Sequence, residues 1–64
     1  MTREEWAKEV RKVMIDRDMK MVDLACGIGF STEYTYQTLN GRRVNPNVVR
    51  KISELTNVDN YLEG

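Results

Sequence analysis

The chain has 64 residues, ten Lys or Arg against ten Asp or Glu, no His and a single Cys. A domain of this size buries only about 60% of the surface its unfolded form exposes, leaving room for one small core and none for a second, ligand-binding domain. The 41% hydrophobic share is enough for a globular fold and too high for a disordered tail. A lone Cys26 excludes an intrachain disulfide framework, and without His a structural zinc site lacks its ligands.

The core must therefore be held by packing alone, which favours a reducing, cytoplasmic setting. No apolar run exceeds three residues (Val13-Met14-Ile15), too short to span a membrane, and Met-Thr-Arg-Glu-Glu at the start is not a signal peptide. The zero net charge hides an uneven distribution. Residues 1–33 mix six positive and seven negative side chains, whereas residues 34–53 carry Arg42, Arg43, Arg50 and Lys51 and no acid. A surface with one such segment can attract phosphate on one side and stay neutral elsewhere.

The apolar period is 3.6 throughout. Thr2 followed by Glu5 is a capping-box pattern, and Trp6, Val10, Val13 and Met14 then form one stripe, predicting a first helix over Arg3–Arg17. Asp18 to Lys20 is a short connection. Met21, Leu24, Ala25 and Ile28 predict a second helix of about two turns. Gly27 costs that helix roughly 1 kcal/mol relative to Ala, so tertiary contacts must hold it. Gly29 sits where the helix should stop, since glycine takes the left-handed conformation without a Cβ clash.

Ser31 is a good N-cap for a third helix from Thr32 to Leu39 or Asn40, which Asn40-Gly41 ends. Asn45-Pro46 opens a fourth helix with proline at its first position, and Val48, Val49, Ile52 and Leu55 carry it to Thr56. Asn57 breaks it, Val58 returns to the core, and Asp59 is placed to cap a last turn holding Tyr61 and Leu62. The expected architecture is a small all-α bundle of four to five helices, one domain over residues 1–64.

Two short helices joined through a glycine-containing turn form a helix-turn-helix pattern, which alone is a weak signal. The composition of the third helix sharpens it. At 100° per residue, Thr32, Glu33, Tyr36, Gln37 and Asn40 share one arc, all able to donate or accept hydrogen bonds. Tyr34, Thr35, Thr38 and Leu39 share the other, with one aliphatic side chain. The polar arc has the groups that read base edges: Gln37 for adenine, Glu33 for the cytosine amino group, Thr32 for a thymine methyl or a single hydrogen bond. Arg42 and Arg43, directly after the helix, would reach flanking phosphates. The competing view is that these residues merely coat a solvated helix.

The stretch Met21–Ser53, and more loosely the whole chain, resembles the lambda-repressor-like helix-turn-helix domain of phage Cro and repressor proteins. The matching pieces are Asp23-Leu24-Ala25, Ile28-Gly29-Phe30-Ser31, Leu39-Asn40-Gly41-Arg42-Arg43, and Asn45-Pro46 with the Val49/Ile52 stripe. The resemblance implies a third helix lying in the major groove of operator DNA bound by a two-fold dimer. It puts Thr32, Glu33, Tyr36 and Gln37 where bases are contacted. Ser31, Asn40, Arg42 and Arg43 fall where phosphates are held. The chain departs from the family at Thr35 and Thr38, usually Val or Ile, and at Lys20, usually a Ser or Thr cap. The two hydroxyls must bond back to helix carbonyls or stay unsatisfied, and the missing cap is worth about 1 kcal/mol.

Of the remaining residues, Trp6 reads as the core anchor of the first helix and Met14, Met19 and Met21 as gap fillers. Cys26 reads as a buried or half-buried small side chain, and Tyr34 as core or phosphate edge. Arg50 and Lys51, on the outer face of the fourth helix, are either a solvated face or secondary phosphate contacts. Tyr61 and Leu62 complete the core or mediate dimerisation.

No catalytic constellation is present, and no cofactor, metal or small-molecule ligand is expected. The expected function is a sequence-specific DNA-binding transcriptional regulator of phage or mobile-element type, acting as a weak, partly DNA-induced homodimer. The alternative is a helix-turn-helix scaffold used as a protein-interaction module, such as an antitoxin, co-repressor or inhibitor, which the zero net charge and the acidic Glu33 favour.

Overall fold

A computed structural model describes residues 1–62, in which four helices follow one another: α1 (Arg3–Asp16), α2 (Met21–Ile28), α3 (Thr32–Leu39) and α4 (Pro46–Thr56). The all-α expectation holds, with a terminal turn after α4 in place of a fifth helix. At the start of α1, the Thr2 hydroxyl accepts from the Glu5 amide and the Glu5 carboxylate accepts from the Thr2 amide, each at 3.2 Å. The expected capping box is formed.

All four helices end the same way. A residue in the left-handed region follows the last turn: Asp18 (φ 53°), Gly29 (79°), Gly41 (80°) and Asn57 (61°). The next amide then bonds to a carbonyl five residues back: Met19 to Met14, Phe30 to Ala25, Arg42 to Gln37, and Val58 to Ser53, at 2.7–3.1 Å. These are Schellman closures, and Gly, Asn and Asp are the residue types that tolerate the left-handed conformation best. The closure at Asp18 explains why α1 stops at Asp16, one residue short of the expected Arg17. Arg17 is instead the cap, and its guanidinium donates to the Leu55 carbonyl at the end of α4, 2.8 Å away.

The core lies where α1 and α2 pack on α4, with α3 laid against α2 and α4. Trp6, Val10 and Met14 from α1 meet Leu24 and Ile28 from α2, Leu39 from α3, and Val48, Val49 and Ile52 from α4. The Trp6 indole N–H donates to the Ser53 hydroxyl at 2.9 Å, which satisfies both groups within the core. Tyr61 packs at a tilt on Trp6, ring centroids 5.2 Å apart, so this residue completes the core, while Leu62 stays exposed. Gly27 faces α4: a Cβ there would lie 2.8 Å from a Leu55 methyl, so a larger residue would require the Leu55 side chain to shift.

Two expectations need correction. Cys26 is exposed, because α2 turns Leu24, Ala25 and Ile28 inward and leaves this position on the outer side. The terminal turn is held by the Asn60 side chain, which accepts from the Leu62 amide at 2.7 Å, and not by Asp59. At Lys20 no side-chain cap forms, as expected. The Asp23 carboxylate, however, accepts from the Lys20 amide at 2.9 Å and supports the first turn of α2 from inside the helix.

Candidate nucleic-acid interface

The inward side of α3 is hydroxyl-bearing and fully satisfied. Thr35 and Thr38 are 0% and 1% exposed. Their hydroxyls donate to the carbonyls of Ser31 and Tyr34, at 2.8 and 2.9 Å. Because those carbonyls belong to the preceding turn of the same helix, the two hydroxyls need no partner elsewhere in the core. Leu39 is the aliphatic residue this side contributes, and it is completely buried.

The outward side carries the predicted polar arc. Thr32, Glu33 and Tyr36 are exposed, Tyr36 with half its surface open, and Gln37 and Asn40 are half-buried. Ser31 caps α3, its hydroxyl oxygen accepting from the Tyr34 amide at 3.1 Å. The arc is internally ordered. Arg43 Nε donates to Gln37 Oε1 at 2.7 Å, and Gln37 Nε2 points to Glu33 Oε1 at 3.4 Å. The Arg43 guanidinium also lies over the Tyr34 ring, 5.3 Å from its centroid. Tyr34 in turn stacks on Phe30 and accepts from the Asn45 side-chain amide at 2.9 Å. Lys51 Nζ stands 6.0 Å from the Phe30 centroid. An aromatic pair thus ties two cations to the start of α3.

The other end of α3 is held by α1. Arg3 Nη1 donates to the Leu39 carbonyl at 2.6 Å, and Arg11 Nη2 donates to Asn40 Oδ1 at 2.9 Å. These two arginines, with Lys8 and the exposed Arg42, line a groove beside the last turn of α3. The arginine contacts span 29 and 36 residues of sequence, so charge counted by segment has no means of finding them. Of the residues singled out from sequence, Ser31, Thr32, Glu33, Tyr36, Gln37, Asn40, Arg42 and Arg43 surround α3, and Lys51 lies close to its start. Arg50 is set apart, lining a depression with Glu54 and Asp59.

Among the described residues no group of His, Cys, Asp or Glu converges as a metal site, and no helix is long and apolar enough to cross a membrane. No curated protein and no solved structure matches the chain. A family model does match, over residues 9–59, which takes in all of α2, α3 and α4 and most of α1. The polar arc and its guanidinium flanks thus sit on a scaffold of known kind, and the chain belongs to the Cro/C1-type HTH DNA-binding domain family.

Proposed function

We propose that the protein is a sequence-specific transcriptional regulator whose α3 enters the major groove of an operator. The observation that carries this is the division of α3 into a self-satisfied inward side and an open outward side of amide, carboxylate and hydroxyl groups beside Arg42 and Arg43. Thr32, Glu33, Tyr36 and Gln37 would contact bases. Ser31, Asn40, Arg42, Arg43 and Lys51 would hold phosphates, with Arg50 an outlying member. Arg43 orients the Gln37 amide, so its free edge offers one acceptor lone pair and one N–H, the complement of adenine in the major groove.

The finer reading is a phage or mobile-element repressor acting in the cytoplasm as a weak dimer on half-sites about one helical turn apart. With several cations per monomer, a dimer neutralises roughly six to eight phosphates, and its affinity should fall steeply with salt. Titration of duplex DNA at two salt concentrations tests the reading. Binding should weaken strongly at the higher salt and disappear in an Arg42→Ala/Arg43→Ala double variant. Salt-insensitive behaviour with no measurable DNA affinity would instead support a protein-interaction module. Selection of bound duplexes from a random pool should return a palindrome, and Gln37→Ala should alter its consensus without loss of folding.

A further inference from the structure

We infer that the groove between α1 and the C-terminal end of α3 is a second phosphate-binding surface, one that grips the backbone of the duplex read by α3. The inference rests on the DNA-binding reading above and extends it to α1, which the charge pattern of the sequence did not implicate.

Four cations line this groove: Arg3, Lys8 and Arg11 from α1, and Arg42 from the loop after α3. One acid, Glu4, shares it, 3.8 Å from Arg3 with most of its side chain in solvent. A simpler account is that cations gather at a helix C-terminus to offset its partial negative charge. That accounts for Arg3, which bonds the Leu39 carbonyl and packs so closely over Gly41 that a Cβ there would lie 2.5 Å from its Nε. It does not account for the others. Arg11 bonds the Asn40 side chain and not a terminal carbonyl. Lys8 makes no ion pair or hydrogen bond among the described residues, and Arg42 is exposed.

Cations that line one groove raise the local potential and favour an anion between them. Arg11 uses one N–H in its hydrogen bond to Asn40, Arg3 uses one on Leu39 with its Nη2 also 3.8 Å from Glu4, and both keep other donors for phosphate oxygens. The groove is also continuous with the reading arc. Asn40 belongs to both, and because its Oδ1 accepts from Arg11, its N–H groups turn away from α1. A duplex lying against α3 therefore has its sugar-phosphate edge within reach of α1. The ligand class is a phosphodiester backbone, bound without regard to base.

The test compares salt dependence for the intact chain, Lys8→Gln, Arg11→Gln and Arg11→Lys on one duplex selected by the wild-type protein. Each lost phosphate contact should lower the slope of log affinity against log salt by about 0.9. Lys8→Gln and Arg11→Gln should each do so and keep the base consensus, while Arg11→Lys should keep the slope. Ethylation of phosphates at the edge of the site should weaken wild-type binding and have no further effect on Lys8→Gln. Lys8 makes no ion pair or hydrogen bond among the described residues and acts only through its charge on nearby Glu5, so its variant should stay folded, which a thermal unfolding curve checks. If the wild-type chain binds duplex DNA with a steep slope and both Gln variants keep it, the groove proposal is overturned and the DNA-binding reading stands. If the wild-type chain shows no salt-dependent binding to any selected duplex, the DNA-binding reading fails and the groove proposal with it.

Discussion

α3 and α4 lie against each other and are built on opposite terms. α4 turns Val48, Val49 and Ile52 inward, all without exposed surface, and caps its own start through Asn45, whose side-chain oxygen accepts from the Asn47 and Val48 amides. α3 turns two threonines and one leucine inward, and its last turn is tied down by arginines from α1. α4 is held by its own apolar face; α3 is held largely by the rest of the molecule. A helix held in that way can change its outward residues with little effect on the fold, which is what a helix that selects among DNA sequences requires.

The comparison breaks most severely at the residue that supports α4. Trp6 is fully buried, donates to Ser53 on α4 and carries Tyr61 on its ring. Trp6→Ala removes that packing and leaves the Ser53 hydroxyl buried without its donor, at a cost of about 3–5 kcal/mol. Small domains have only about 5–15 kcal/mol in total. A urea unfolding curve should therefore show a midpoint far below that of the wild-type chain, with α4 lost together with the other helices.

A middle-sized effect separates the two kinds of residue inside α3. Leu39→Ala should cost about 2–5 kcal/mol, as for any buried leucine. The double change Thr35→Val/Thr38→Val should be neutral within about 1 kcal/mol or stabilising, since the hydroxyls bond only to carbonyls of their own helix. Equilibrium unfolding of both variants checks this. A large loss in the double-Val protein would mean that the hydroxyls have a further partner, and that α3 is more firmly rooted than its composition suggests.

The same contrast explains how much was legible in the sequence. Helix starts were readable because Thr2, Ser31 and Asn45 act locally, within three residues of their partners. The face of α3 was readable because the helical period alone separates Thr35, Thr38 and Leu39 from Glu33, Tyr36 and Gln37. Three of the four helix ends carry Gly or Asn and announce themselves; Asp18, a less usual left-handed residue, does not. The outer position of Cys26 was missed because an 8-residue helix gives its phase few repeats in which to declare itself. Least legible was the groove between α1 and the end of α3. Arg3, Lys8 and Arg11 look like an ordinary solvated face until packing sets them beside Asn40 and Arg42, and no local rule reaches across about thirty residues.

The smallest effect concerns how the starts of α1 and α3 are capped. Glu5 accepts from the Thr2 amide and lies beside the Thr2 hydroxyl, and these hydrogen bonds, the backbone one foremost, hold its carboxyl below the usual carboxylate range. A depressed folded value means that this contribution is fully present above the unfolded value of about 4.3 and is lost as pH falls through the folded one. The stability gap between the wild-type chain and Glu5→Gln should therefore be open at neutral pH and close on acidification below about pH 4. The Ser31 hydroxyl that caps α3 does not titrate in this range, so Ser31→Ala should cost about 1 kcal/mol at every pH from 4 to 8. Urea midpoints from about pH 2 to pH 8 read both variants at once. A gap for Glu5→Gln that stays constant with pH would show that the α1 cap works through its geometry and not its charge, which would leave the start of α1, from which Arg3 projects, indifferent to acid.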